Sequence, residues 1–219
     1  MKKIGILFGK ENSFPPAFVE RVNSKGIKGV EAEFVKVEEL IQGKPSGYAV
    51  IIDRISQDVP FWWSADEKFF NNCLSEHIKV PVPKTVLLPS NQRPDDTSEQ
   101  SFRNMKFPLD WEGMVEYLGG FPLYMKPHSG GGWKSVYKVT SFEDLFSKFN
   151  ETGQLVMMLQ ENIDFDAYFR CYYLGGDRVR VMPYEPRNPH HLRYIDKPAI
   201  DDPKLMKEIH KLVLRINHA

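Results

Sequence analysis

The chain has 219 residues, of which 42% are hydrophobic and 26% are charged, an ordinary globular composition. The length suits one large domain or two small ones, each with a hydrophobic core. Lysine plus arginine and aspartate plus glutamate both number 29, so the net charge is zero. This balance excludes a general attraction to nucleic acid or anionic lipid, and we expect neither as a partner.

The cysteines and the N-terminus bear on the cellular compartment. Cys73 and Cys171 lack the CxxC spacing of a zinc site and are typical of reduced thiols. The N-terminal sequence MKKIGILFGKENS has an apolar run too short for a signal peptide. No segment approaches the ~20 apolar residues that a membrane-spanning helix needs. We therefore predict a cytoplasmic protein that does not associate with membranes.

The first part of the chain predicts an α/β unit with parallel strands. Its apolar runs are short and β-prone, and prolines and a glycine bound the segment between the first two runs. The predicted elements are a strand over 3–9, a helix from Pro15 to Gly26, a strand over 30–37, a short helix over 38–42 and a strand over 48–55.

The rest of the chain alternates predicted helices and strands. Ser64 with Glu67 and Ser141 with Asp144 have the spacing of helix-capping pairs. The predicted elements are a helix over 64–78, an extended segment over 80–90, an exposed polar loop over 91–104, a helix over 110–120, two strands within 121–139, a helix over 141–153, a strand over 155–163, a hairpin over 167–186 and an amphipathic helix over 202–219.

One segment, FPLYMKPHSGGGWKSVYKV at 121–139, places three consecutive glycines between Lys126 and Lys134. It is not a P-loop, because Trp133 separates the last glycine from Lys134 and the residues that follow alternate like a strand. A dinucleotide-binding turn is also excluded, because no strand-to-helix turn is present. Two interpretations remain: a backbone that lies close to a phosphate, with lysine as the counter-charge, or a flexible β-hairpin with solvated lysines.

Four motifs occur in an order that resembles the ATP-grasp family: ADEKFF, VPVPKT, FPLYMKPHSGGGWKSV, and LQENI followed by YFR. The resemblance covers roughly residues 64–186. It implies an ATP-grasp fold of the α/β class, with an N-terminal parallel α/β pre-grasp domain over 1–63. The lysine and glycine-rich-loop subdomain would cover 64–165, and the C-terminal grasp subdomain would start in 166–219.

The resemblance also implies roles for individual residues. Arg170 would hold the transferred phosphate or the acyl phosphate and is the predicted catalytic residue. The predicted ATP-binding residues are Lys68 and Lys126 on the phosphates; Ser129, Gly130, Gly131 and Gly132 in a flap over the triphosphate; Gln160, Glu161, Asn162 and Ile163 in the strand that reads adenine; and Asp166 on the ribose hydroxyls.

The implied chemistry is ligation: ATP phosphorylates a carboxylate, and an amine or thiol displaces the phosphate. The expected partners are small carboxylate and amine or thiol substrates or a peptide, and a homodimer is possible. Such ligases use Mg²⁺ held by carboxylates. In the family those carboxylates follow the helix that here covers 202–218, so we expect this chain to lack them and assign no metal ligand. The alternatives are a truncated ligase and a non-catalytic nucleotide-binding or assembly module.

Four of these residues also have a purely structural interpretation. Lys68, taken alone, is a solvated charge on a helix. Glu161 and Asp166 could be exposed turn carboxylates. Arg170 lies on an alternating strand, where a structural ion pair would serve as well as a substrate contact.

Overall fold

The computed structural model describes residues 1–9, 11–37, 39–54, 67–95, 97–129, 132–195 and 201–218. In chain order the elements are β1 (Lys2–Phe8), α1 (Phe14–Ser24), β2 (Val30–Phe34), β3 (Leu40–Ile41), β4 (Val50–Arg54), α2 (Glu67–His77), β5 (Thr85–Leu88), α3 (Trp111–Tyr117), β6 (Leu123–Pro127), β7 (Tyr137–Val139), α4 (Phe142–Glu151), β8 (Met157–Glu161), β9 (Phe169–Tyr173), β10 (Val179–Pro183) and α5 (Pro203–Asn217). The predicted cap Ser64 lies outside the described residues.

The chain divides into two compact units. The first comprises 1–72 and 83–162, and the second comprises 73–82 and 163–219. The fold is of the mixed α/β class, with both parallel and antiparallel sheets, which confirms the predicted class. Among the described residues, no helix is long and apolar enough to cross a membrane.

The first unit contains a parallel three-stranded sheet with the order β2-β1-β4. Helix α1 connects β1 to β2, and prolines occupy its first turn, where their missing amide hydrogens cost nothing. The predicted parallel α/β unit is therefore confirmed in this part of the chain. Ile6, Phe8 and Ala32 are buried in it.

The first unit also contains an antiparallel five-stranded sheet with the order β3-β5-β8-β6-β7. Helices α3 and α4 pack on one face of it and bury, among others, Met114, Leu145, Leu123 and Leu159. Both helices begin as predicted: Asp110 accepts from the amide of Gly113, and Ser141 accepts from the amide of Asp144. On the opposite face of the sheet, Leu87 and Met158 pack with Val37, Leu40 and Met105.

Two predictions of local structure are wrong. The segment predicted as a helix over 38–42 contains β3, because Leu40 and Ile41 pair with Leu87 and Val86 of the neighbouring strand. So short a helix has too few internal hydrogen bonds to compete with an available sheet edge. The polar segment over 91–104 includes a 3-10 helix, Glu99–Phe102, and is not simply an exposed loop.

The end of that segment is buried. Asn104 is 4% exposed, its Oδ1 accepts from the amide of Phe8 at 3.1 Å, and its Nδ2 donates to the carbonyl of Val35 at 2.7 Å. A polar side chain is stable in such a place because both ends of its amide are hydrogen-bonded. Asn104 therefore ties this segment to the ends of β1 and β2.

The second unit is smaller. Its strands β9 and β10 form the predicted antiparallel hairpin, with Arg170 opposite Met182 and Tyr172 opposite Arg180. Helix α5 packs against this hairpin, and Asp202 caps the helix by accepting from the amides of Lys204 and Leu205.

Candidate functional site

The antiparallel sheet carries a lysine beside the glycine-rich loop. Lys126 is the last residue but one of β6 and lies opposite Met158 of β8, so it is on the face away from α3 and α4. Its Nζ donates to Oε1 of Gln160 at 2.8 Å, and both side chains are half-buried. The two residues form a diagonal pair across neighbouring strands, because Gln160 lies opposite Tyr124.

Gln160 is held from its other end as well. Its Nε2 donates to Oγ1 of Thr85 at 2.8 Å, and Thr85 lies opposite Gln160 in the sheet. The three side chains thus form a line from β6 through β8 to β5, on a sheet face where Leu87 and Met158 are buried. Apolar neighbours lower the local dielectric constant and strengthen the field of the lysine charge.

The glycine-rich loop follows β6 directly. Gly130 and Gly131 lie outside the described residues. Gly132, Trp133 and Ser135 have φ values of 69°, 65° and 55°, in the left-handed region. A side chain built on Gly132 would meet no atom within 4 Å, so glycine is needed there for the backbone angle and not for space. Trp133 and Ser135 adopt the same region at a steric cost.

The predicted adenine-reading strand is the end of β8. The amide of Glu161 donates to the carbonyl of Lys84 at 3.1 Å, and its Oε1 accepts from the amide of Lys84 at 2.6 Å. Glu161 therefore fastens the start of β5 with both its backbone and its side chain. Asn162 is half-buried at the end of the first unit, while Ile163, which is 50% exposed, begins the second.

The remaining predicted phosphate lysine, Lys68, lies in α2 one turn before Asn72. Asn72 belongs to the same compact unit as the sheet, and its Nδ2 donates to Oγ1 of Thr85 at 3.2 Å. The helix that carries Lys68 is therefore anchored to the same threonine that holds Gln160.

The structure places Asp166 and Arg170 in the second unit, where Asp166 is exposed. The Arg170 guanidinium lies 4.2 Å from the ring centroid of Tyr184, and its Nη1 donates to Tyr194 Oη at 3.1 Å. Tyr172 and Tyr194 share a hydrogen bond of 3.1 Å. That bond, together with the nearby guanidinium, lowers the pKa of Tyr172. Arg170 is thus held by aromatic rings in a defined orientation.

A cavity of about 490 Å³ opens beside the start of the glycine-rich loop. His128 and Ser129 line it from the loop side, and Asp95 and Gln154 line it from two other segments of the first unit. Gln154 Nε2 donates to Oδ1 of Asp95 at 3.1 Å. Ser129, predicted to contact phosphate, is exposed at this cavity.

Three residues of the site have no role in the sequence prediction: Thr85, Asn72 and Lys84. Thr85 occupies a predicted extended segment, and its position opposite a glutamine becomes visible only from the strand pairing. Within the described part of the chain, no group of three or more His, Cys, Asp or Glu side chains is arranged to hold a metal ion.

Comparisons with known proteins give matches only among solved structures. No family model matches the chain, and no curated protein matches it. The D-Ala:D-Ser ligase VanG from Enterococcus faecalis aligns at a TM-score of 0.46 and 14% identity, covering 98% of this chain and 81% of the ligase. The ATP-complexed D-alanine–D-alanine ligase from Bacillus anthracis aligns at 0.43 and 13%, covering 99% and 77%.

A third match is the N5-carboxyaminoimidazole ribonucleotide synthetase from Thermotoga maritima, with a TM-score of 0.42 and 14% identity over 99% of this chain and 60% of the synthetase. The matched ligases and synthetases are ATP-grasp enzymes, the family that the sequence motifs resemble. All three TM-scores lie below 0.5.

Proposed function

We propose that the chain is an ATP-binding ligase of the ATP-grasp kind, which activates a carboxylate as an acyl phosphate and joins it to an amine or thiol. The observation that carries the proposal is the lysine at the base of the glycine-rich loop, Lys126, with its ammonium group positioned by Gln160 at 2.8 Å. A half-buried cation next to a loop with a left-handed backbone suits a triphosphate.

The donor set of the first unit fits such a ligand. Gln160 is a neutral amide, so it orients the Lys126 ammonium without cancelling its charge. Pro127 has no amide hydrogen and the amide of His128 donates to the carbonyl of Val156, so the proposed phosphate donors of the loop begin with the amide and hydroxyl groups of Ser129. Together, Lys126 and the loop supply the point charge and the amide donors that phosphate oxygens require.

In the proposed reaction, ATP supplies the phosphoryl group that makes the substrate carbonyl reactive toward the nucleophile. The protein's part is to hold charge in fixed positions: Lys126 and Lys68 on the phosphates, and Arg170 on the transferred group. In this proposal the segment from Gln160 to Ile163 contacts adenine, and Asp166 contacts the ribose. The nucleophile is an amine or thiol of a small molecule or peptide, and the proposed compartment is the cytoplasm.

Mg²⁺ is expected with ATP, but the described residues supply no carboxylate cluster to hold it, so no step is assigned to metal ligands of this chain. A module that binds ATP without ligase output would present the same lysine and loop. The ligase releases ADP and the binding module does not, so a measurement of ADP distinguishes the two functions.

The test is to incubate the chain with ATP and Mg²⁺ against a library of carboxylates paired with amines or thiols, and to measure ADP. A ligase releases ADP only when both substrates are present. Lys126→Ala should abolish this release, while Lys138→Ala, an exposed lysine on β7 of the same sheet, should leave it unchanged. ATP binding without ADP release for any pair would favour the binding module.

A further inference from the structure

We propose that Thr85 is a positioning residue of the nucleotide site: its buried hydroxyl group fixes which end of the Gln160 amide faces Lys126, and it holds the helix that carries Lys68. The proposal rests on the proposed function and extends it to Thr85, the last residue of the VPVPKT motif, for which the resemblance implies no role. It follows from three hydrogen bonds made by Thr85 Oγ1, to Pro83, Gln160 and Asn72, and from a fourth that joins Gln160 to Lys126, all within the first unit.

The hydrogen-bonding capacities of Thr85 and Lys126 determine the orientation of the Gln160 amide between them. Thr85 Oγ1 lies 3.0 Å from the carbonyl of Pro83, which can only accept, so the hydroxyl hydrogen points there. Oγ1 is then left with acceptor capacity alone. The Gln160 atom that faces it at 2.8 Å must therefore be the NH₂ group.

At the other end, a lysine ammonium can only donate. With its NH₂ group directed to Thr85, Gln160 presents Oε1 to Lys126, which is the arrangement observed at 2.8 Å. A flipped amide would set the Gln160 NH₂ against the ammonium and the amide oxygen against a hydroxyl whose hydrogen is already used. The hydroxyl of Thr85 thus selects the only amide orientation that attracts the ammonium.

Burial makes this selection strong. Thr85 is 0% exposed, and the neighbouring Leu87 and Met158 are 2% and 1% exposed. Because the Thr85 hydroxyl group is closed to water, solvent cannot replace the hydrogen bond that it loses when the Gln160 amide flips, so the flip is unfavourable. Thr85 is one of the few polar residues buried in the described part of the chain, and sheet packing alone would be satisfied by valine at this position.

Thr85 also serves α2. The Asn72 Nδ2 donates to the same Oγ1 at 3.2 Å, so the helix is fastened at a point one turn after Lys68. The same hydroxyl group therefore accepts hydrogen bonds from Gln160, which orients Lys126, and from Asn72 of α2, the helix that carries Lys68.

The experiment compares Thr85→Val, which keeps the shape of the side chain and removes its hydroxyl, with Thr85→Ser, which keeps the hydroxyl. Affinities for ATP and for adenosine are measured by calorimetry. We expect Thr85→Val to weaken ATP about tenfold and adenosine less than about twofold, and Thr85→Ser to stay within about threefold of wild type for both. Thr152→Val is the matched control, because Thr152 is a buried threonine whose hydroxyl donates to a carbonyl at the end of α4.

A second readout needs no nucleotide. Hydrogen exchange of the Gln160 side-chain amide, followed by NMR, should be slow in wild type and Thr152→Val and about tenfold faster in Thr85→Val. In a double-mutant cycle, Thr85→Val combined with Lys126→Met should cost less ATP affinity than the two single changes together. Unchanged exchange in Thr85→Val, or equal losses for ATP and adenosine, would overturn the positioning role. Failure of wild type to bind ATP, with the exchange difference intact, would overturn the proposed function alone.

Discussion

Lys126 and Gln160 lie diagonally across two neighbouring antiparallel strands, with Nζ and Oε1 2.8 Å apart, at the point where β6 enters the glycine-rich loop. A neutral amide in this position orients the ammonium and preserves its charge. The neutral amide keeps the site positively charged, because a carboxylate in the same place would form an ion pair with Lys126 and weaken its attraction for an anion.

Gln160→Glu should therefore weaken ATP binding by about tenfold or more, because a negative charge is added next to the lysine that is proposed to contact phosphate. The change also removes the NH₂ group that donates to Thr85. Calorimetric titration with ATP measures the effect, and Gln100→Glu, at an exposed position of the 3-10 helix, is the control. Equal or tighter ATP binding by Gln160→Glu would contradict the role assigned to Lys126.

Gly132→Ala should impair ATP binding through the backbone. Because φ is 69° at this residue, any side chain adds strain of about 1–2 kcal/mol to the loop. Gly26→Ala is a matched control, with φ of 58° at the end of α1. We expect similar losses of stability from both changes in thermal unfolding, but a loss of ATP affinity only from Gly132→Ala. Equal ATP affinities for the two variants would contradict a role of the glycine-rich loop in nucleotide binding.

Arg170→Lys should slow ligation more than it weakens ATP binding. Lysine keeps the charge but loses the planar group that stacks on Tyr184 at 4.2 Å. We expect ADP release with the best substrate pair to fall about tenfold or more, with ATP affinity within about threefold of wild type. The control is Arg178→Lys in the exposed turn of the hairpin. A rate of ADP release in Arg170→Lys equal to that of wild type would indicate that Arg170 has only a structural role.

Glu185 should titrate far below an ordinary glutamate. Two hydrogen bonds from the Arg187 side chain, one from its backbone amide and its charge lower the pKa of Glu185 to about 2. The folded-state pKa is depressed, so any stabilisation is complete above the unfolded pKa and is lost as the pH falls through about 2. NMR titration of the carboxyl carbon measures it, and Arg187→Met should raise the pKa to about 4.3. An unchanged pKa in Arg187→Met would assign the shift to another cause.

Leu145→Ala tests the packing of the sheet. Leu145 lies on α4, is 0% exposed and packs in the core beneath the five-stranded sheet. We expect the free energy of unfolding to fall by about 2–5 kcal/mol, measured by urea denaturation. Leu155→Ala, at a leucine that is 42% exposed, should cost less than about 1 kcal/mol. Similar costs for the two changes would contradict the core described for the first unit.

The sequence predicts most elements of the fold, because their signals are local. Pro15, Pro16 and Ser141 mark helix starts, and apolar runs mark the strands. The strand of Leu40 and Ile41 is not predicted, because it forms only by pairing with β5. The burial of Asn104 is not predicted for a similar reason, since it depends on Phe8 and Val35, which are 96 and 69 positions away in the sequence.

The same distinction applies to the site. Lys126 and its loop are predicted from one continuous segment, because lysine and glycine carry their chemistry in their residue types. Thr85 is not predicted, because its role depends on being opposite Gln160, on the carbonyl of Pro83 and on Asn72 from a separate helix. Sequence reasoning identifies the charged group, and the strand pairing identifies the residues that orient it.

The central claim is that Lys126 holds a nucleotide triphosphate, and calorimetric titration of the chain with ATP, alone and with Mg²⁺, tests it most directly. Wild type and Lys138→Ala should bind ATP with equal affinity, and Lys126→Ala should lose at least about 100-fold, as expected for a charge-assisted contact in a half-buried site. ATP binding that is unchanged in Lys126→Ala, or absent from wild type, would contradict the claim.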